Sequence, residues 1–141
     1  METKTILLVE DNPDDELLTL RAFKKHKIAN PVIVAHDGQE AIDYLFDSGK
    51  RLPSIILLDL KLPKIGGLEV LKRLRADPRT ELVPVIILTS SNQDSDLLAG
   101  YKNGCNSYIR KPVDFDKFVD AVGQLGLYWL VFNEPPPLGG K

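Results

Sequence analysis

Hydrophobic residues fall in four short runs, 6–9, 32–35, 55–58 and 85–88, each made almost wholly of Ile, Leu and Val. None alternates with polar residues, which is the pattern of strands buried on both faces of a parallel sheet. Pro31, Pro53 and Pro84 stand just ahead of three of these runs. A proline at a strand's first residue costs little, because the N–H it lacks is not yet needed in the ladder. Residues 107–110 make a weaker fifth strand.

Between the runs the apolar spacing changes to that of helices. Residues 14–25 place Leu17, Leu18, Leu20, Ala22 and Phe23 on one broad stripe, behind the start signals Asn12 and Pro13. Residues 38–46 carry Ala41, Ile42, Leu45 and Phe46 at helical spacing, and residues 67–75 carry Leu68, Val70, Leu71 and Leu74 before Asp77-Pro78 stops them. A shorter helix is expected at 94–102, ending near Asn103-Gly104. The last, 114–132, opens at Asp114 and covers Phe115, Phe118, Val119, Val122 and Leu125. Five β-α units in succession predict an α/β fold: a doubly wound (βα)5 parallel sheet with helices on both faces. Right-handed crossovers leave few topologies, and strand order 2-1-3-4-5 is the one expected here.

Composition narrows the setting. A chain of 141 residues supports one domain with a real core, expected over 1–132, followed by a Pro/Gly-rich tail at 133–141. Little chain remains for a separate output domain. Net charge is −2 and the basic residues are scattered, which argues against a nucleic-acid partner. A single cysteine, Cys105, excludes an internal disulfide and fits a reducing compartment. The opening METKTILLVED is not a signal peptide, and no stretch nears the roughly 20 apolar residues of a membrane span. A cytoplasmic protein is expected.

The chemistry gathers at the strand ends. In open α/β sheets ligands bind beyond the carboxyl ends of the strands, near the switch in strand order. Strand one ends in Glu10-Asp11, strand three in Asp59, strand four in Thr89-Ser90 and strand five near Lys111-Pro112. With strands one and three adjacent, Glu10, Asp11 and Asp59 converge. Three such carboxylates raise one another's cost of ionisation. A hard divalent cation relieves that conflict, and Mg²⁺ suits a site of few carboxylates plus water and phosphate oxygens. Lys111 adds a cation and Thr89 a hydroxyl. A nucleophilic carboxylate, a metal, an ammonium and a hydroxyl suit phosphoryl transfer, where positioning and charge neutralisation do most of the catalysis. Taken singly, each residue has a plainer reading: Asp59 as a turn or cap, Glu10-Asp11 as a helix-end acid pair, Lys111 as a solvated loop lysine, and Thr89 as a strand-end cap. Their joint occurrence at four strand ends favours the site.

The segments ILLVEDNPDD, IILLDLKLPKIGGLEVL, PVIILTSS and YIRKP, in this order, resemble the receiver domains of two-component response regulators. The resemblance covers nearly the whole chain and implies a flavodoxin-like fold. It also implies that Asp59 is the phosphoacceptor. Asp11 and Asp59 would bind Mg²⁺ directly, with the backbone carbonyl of Lys61 as third ligand and Glu10 acting mostly through water. Thr89 and Lys111 would meet the phosphoryl group, Lys111–Pro112 would be a cis peptide, and Tyr108 would be the aromatic switch that turns inward as Thr89 moves. For Tyr108 the plainer reading is a half-buried strand aromatic. Glu10 departs from the commoner aspartate but is an accepted variant, while Lys61 and Ser91 occupy positions where dephosphorylation rate is tuned. More narrowly, VEDNPDDELL, DSGKRLP and the apolar C-terminus resemble small regulators paired with cyanobacterial or bacterial phytochrome kinases. The implied partner is a histidine kinase of phytochrome type, and the implied function is stoichiometric switching rather than enzymatic turnover.

Two other functions compete. A Mg²⁺-dependent phosphatase with an aspartyl nucleophile would want an acid two residues after Asp59, where this chain has Lys61. A phosphate-binding module would want a cradling loop after strand one, where this chain has Asp11, Asp14 and Asp15. Finally, residues 127–132 are apolar six in a row, which covers every face of a helix. Some of them must face solvent or a partner, so a homodimer through the last helix is expected, with Tyr128, Trp129 and Phe132 as anchors.

Overall fold

The structure, a computed structural model, describes residues 4–47, 49–111, 116–117, 120–121, 123–124 and 134. Strands and helices alternate as β1 (Ile6–Val9), α1 (Pro13–Lys25), β2 (Val32–Ala35), α2 (Gly38–Leu45), β3 (Ile55–Leu58), α3 (Gly67–Ala76), β4 (Val85–Thr89), α4 (Asp94–Lys102) and β5 (Ser107–Arg110). All pairings are parallel and the sheet order is β2-β1-β3-β4-β5. This is the doubly wound, flavodoxin-like arrangement that the alternation of patterns predicts. Described residues of the expected last helix, at 116, 117, 120, 121, 123 and 124, are helical.

The continuous apolar runs are explained by two cores. Leu7, Val9, Ile56, Leu58, Val85 and Ile87 face α2 and α3, where they meet Ala41, Leu45, Val70, Leu71 and Leu74. The alternate residues Ile6, Leu8, Ile55, Leu57, Ile86 and Leu88 face the other way, onto Ala22 and Phe23 of α1. A central strand therefore has no solvent face on which a polar residue could sit. The edge strand β2 departs from this: Val32, Ile33 and Val34 are only half-buried. The stripe expected on α1 also shifts, with Leu17 exposed and Thr19 buried in its place. Thr19 is tolerated there because its hydroxyl donates to the Asp15 carbonyl at 3.0 Å.

Helix ends set the strand tips. Asn12 caps α1 by accepting from the N–H groups of Asp14 and Asp15 at 2.9 and 3.1 Å, and Pro13 fills the first helical position, where no N–H is needed. At the head of α3, a Cβ on Gly67 would collide with the carbonyl oxygen of Asp59, and the Gly67 N–H donates to the Leu60 carbonyl at 3.0 Å. The glycine lets α3 close directly onto the end of β3. Two arginines fasten the opposite end. Arg75 donates to the carbonyls of Gly104, Glu81 and Val83 and to Asn106 Oδ1, and Arg79 donates to the carbonyls of Leu45, Asp47 and Lys50. Among the described residues, no helix is long and apolar enough to cross a membrane.

Candidate functional site

The carboxyl rim of the sheet is built by register. Val9 pairs with Leu58, so Glu10 and Asp59 leave the sheet side by side. The ladder continues one step beyond the strands, through Asp59 N–H to the Val9 carbonyl at 3.1 Å and Glu10 N–H to the Ala35 carbonyl at 2.9 Å. Two strands from β3, the Lys111 N–H donates to the Thr89 carbonyl at 2.7 Å, which fixes the start of the lysine. Its side chain then reaches back across the rim. The ammonium donates to Glu10 Oε1 at 2.6 Å, Asp15 Oδ2 at 3.0 Å and Asp59 Oδ2 at 3.3 Å. The other Asp59 oxygen, Oδ1, accepts from the Lys61 N–H at 3.1 Å.

Burial decides how these charges behave. Glu10 is 1% exposed, Asp59 and Lys111 are 7% exposed, and Asp11 lies at the surface. Burial, opposed by the Lys111 ammonium and reinforced by the charge on Asp59, leaves the Glu10 carboxyl raised to about 7. Burial also works against the Lys111 charge. The bond the ammonium donates to Glu10, the charges on Asp59 and Glu10 and the bond it donates to Asp15 outweigh burial, and the ammonium is held above the ordinary lysine value. The plainer reading of Lys111 as a solvated loop residue therefore fails. The lysine is already the cation that the clustered carboxylates call for.

The same carboxylates fit a metal. Oxygens of Glu10, Asp11 and Asp59 all lie within 4.8 Å of one another. Ligand oxygens about 2.1 Å from one Mg²⁺ sit within roughly 4.2 Å of each other, so a small contraction suffices. The donor set is all oxygen, as a hard cation prefers.

Thr89 is fully buried, and its Oγ1 accepts from the Ser91 N–H at 3.3 Å. Tyr108 pairs with Ile87 across β4 and β5, two residues before Thr89, so both side chains share one sheet face. Its ring is half-buried, packs on the core of that face and stacks on Tyr101 with centroids 6.5 Å apart. A Cβ on Gly100 would stand 3.2 Å from the Tyr108 ring and 2.9 Å from Ile87, so the bare glycine makes room for the tyrosine. Among the described residues, the buried Tyr108 hydroxyl meets no hydrogen-bond partner. Burial, and next the charge of Asp96, raise its pKa.

Of the residues expected from sequence, Glu10, Asp59 and Lys111 are thus in direct contact or one bond apart, Asp11 joins the carboxylate group, and Thr89 and Tyr108 lie on one face beside it. Lys61 is tied in through its N–H. Pro112, Tyr128, Trp129 and Phe132 lie outside the described residues, so the Lys111–Pro112 peptide bond and the dimer anchors do too. Sequence reasoning missed Asp15 as a partner of Lys111. The available signal was its place three residues after the Asn12 cap, where a first-turn side chain can turn back toward the strand end.

The chain belongs to the response regulator receiver domain family, which matches it over residues 6–123. It is 40% identical over 134 residues to a probable methanogenesis regulatory protein, FilR2, of Methanothrix harundinacea, covering 93% of this chain and 86% of that protein. Among solved structures it resembles the phosphorylated cyanobacterial phytochrome response regulator RcpA, with TM-score 0.88 and 33% identity over 96% of this chain and 100% of that one. The Mn²⁺-bound form of response regulator Rcp1 matches with TM-score 0.87 and 33% identity, over 95% and 99% of the two chains. The bacteriophytochrome response regulator RtBRR matches with TM-score 0.76 and 47% identity, over 96% and 86%.

The raised Glu10 pKa carries a pH signature. A carboxyl that holds its proton more tightly folded than unfolded adds stability that is full below its unfolded pKa and lost as pH rises through the folded one. In EDTA, the thermal midpoint should contain a component that falls from about pH 4.5 to about 7. Glu10→Gln should flatten that component in a midpoint-against-pH series; an unchanged slope would show that Glu10 titrates normally.

Proposed function

We propose that this protein is a phosphorylation switch, with Asp59 taking a phosphoryl group from a histidine kinase. The observation that carries the reading is the state of Asp59. Its carboxylate is held by the Lys111 ammonium on one oxygen and a backbone N–H on the other, at the rim where Glu10 and Asp11 gather. Oxygen of Asp59 attacks phosphorus, the P–O bond forms as the P–N bond of phosphohistidine breaks, and the imidazole leaves with the electron pair. Asp11, Asp59 and the Lys61 carbonyl are the residues that would hold Mg²⁺ directly, with Glu10 acting mostly through water. Bound there, the ion would offset the charge of the transferring group. Lys111 neutralises phosphoryl oxygens from the buried side, and Thr89 supplies a hydroxyl.

Signalling then follows from the shared face of Thr89 and Tyr108. As Thr89 turns toward the phosphoryl group, Tyr108 moves into the space it leaves and alters the surface around α4 and β5. The adduct is a mixed anhydride that hydrolyses slowly, so the protein acts once per phosphoryl group rather than as an enzyme with turnover. A phosphatase reading gains no support, because Lys61 offers an ammonium where that chemistry wants an acid. The likeness to RcpA and RtBRR, both described as phytochrome regulators, supports a histidine kinase partner of phytochrome type.

Acetyl phosphate with Mg²⁺ should add one phosphoryl mass to the wild type and none to Asp59→Asn. In the same pair, the NMR signals of the Tyr108 ring should shift with beryllofluoride only in the wild type. Equal adducts on both proteins would remove Asp59 from the role, and a Tyr108 ring unmoved in the modified wild type would remove the switch.

A two-fold homodimer through the last helix belongs to the same proposal. It is supported by the apolar run at 127–132, where Tyr128, Trp129 and Phe132 supply the large anchors. Sedimentation at micromolar concentration should give a dimer that the double change Trp129→Ala and Phe132→Ala weakens. A monomer with and without beryllofluoride would contradict it.

A further inference from the structure

Lys111 has three N–H donors and all three are used, by Glu10, Asp15 and Asp59. A phosphoryl group on Asp59 would need one of them. The three acceptors are not equally able to give way. The Glu10 bond is the shortest, and both side chains in it are only 2% exposed, so breaking it would strand a buried carboxylate. The Asp59 oxygens become part of the acyl phosphate. Asp15 differs: its side chain is 34% exposed, so water can take over from the ammonium.

Its position is fixed by the chain. Asn12 caps α1 through the Asp15 N–H, and the Asp15 carbonyl accepts from the buried Thr19 hydroxyl. The carboxylate is thereby held in the first turn, facing Lys111. An acid there also suits the helix dipole, but dipole stabilisation does not require a 3.0 Å bond to an ammonium 96 residues further along.

We infer that Asp15 is a positioning residue that competes with the phosphoryl group for Lys111 and so sets how strongly the modified state is favoured. The inference rests on the phosphoacceptor reading of Asp59. Charge counting gives its sign. Around the unmodified site stand four carboxylates, those of Glu10, Asp11, Asp15 and Asp59, against one ammonium and one divalent ion, a balance of −1. Replacing the Asp59 charge by a dianionic phosphoryl group takes the balance to −2. Removing the charge of Asp15 relieves that excess and frees a donor of Lys111 for a phosphoryl oxygen. One elementary charge a few ångströms away, in a partly wet site, changes binding by about tenfold.

The test is a ¹⁹F NMR titration of the full chain with beryllofluoride at saturating Mg²⁺, comparing wild type, Asp15→Asn and Asp15→Glu. Asp15→Asn keeps the shape and removes the charge, and should bind about tenfold tighter. Asp15→Glu keeps the charge and should stay near wild type, which a purely structural role for the side chain would not produce. Equal or weaker binding by Asp15→Asn, or tighter binding by both variants, would overturn the inference while leaving the phosphoacceptor reading intact. A wild type that binds no beryllofluoride would instead overturn the phosphoacceptor reading, and the inference with it.

Discussion

The site depends on one buried ammonium. Glu10 and Asp59 stand side by side because β1 and β3 are neighbours, and both are removed from water. Two buried like charges without a counter-charge would oppose folding. Lys111 resolves this by placing a single Nζ against both of them and against Asp15. The resolution is incomplete, since Glu10 still titrates near neutrality. A cation added outside the rim, near Asp11, therefore has work left to do. A site that is part neutralised from within and part from solvent is suited to admitting a metal and an anionic group in turn.

The fold places these charges through backbone geometry rather than through loops. The switch in strand order puts the two carboxylate-bearing strands in the middle of the sheet, and the closing of α3 onto Asp59 through Gly67 holds the tip of β3. Lys111 comes from beyond β5, with β4 and β3 between it and Glu10. A long side chain is needed to cross that width. The Lys111 N–H bonds the Thr89 carbonyl, and Tyr108 lies on the sheet face that the Thr89 side chain shares, stacked on Tyr101 of α4.

Much of this was legible in the sequence. Strand bounds at 6–9, 32–35, 55–58 and 107–110 match the structure, and the fourth gains only Thr89. Strands closed in on both faces leave an unbroken apolar run, and their ends stand out as the first polar residues. The strand-end logic therefore found Glu10, Asp59 and Thr89, while Lys111 stood just past the weaker, more polar β5. The errors have physical causes. Leu17 was expected in the α1 stripe, but Thr19 takes a buried place by bonding its own helix. Half-burial of β2 follows from its edge position, which periodicity within the strand does not encode. The Glu10–Lys111 and Asp15–Lys111 bonds join residues about a hundred positions apart and leave no periodic trace, so nothing in the sequence sets Asp15 apart from the neighbouring acids Asp11 and Asp14.

The claim that Lys111 is what makes the acidic rim stable is tested most directly by the thermal stability of Lys111→Met in EDTA, measured against pH. Methionine keeps most of the side chain's volume and removes the charge. The loss at pH 7 should be about 3–5 kcal/mol, as when one partner of a buried ion pair is removed. Without the ammonium the carboxylates hold their protons more tightly in the folded state, so the loss should shrink as pH falls toward about 5. A variant as stable as the wild type at pH 7, or a loss that does not change with pH, would contradict the account.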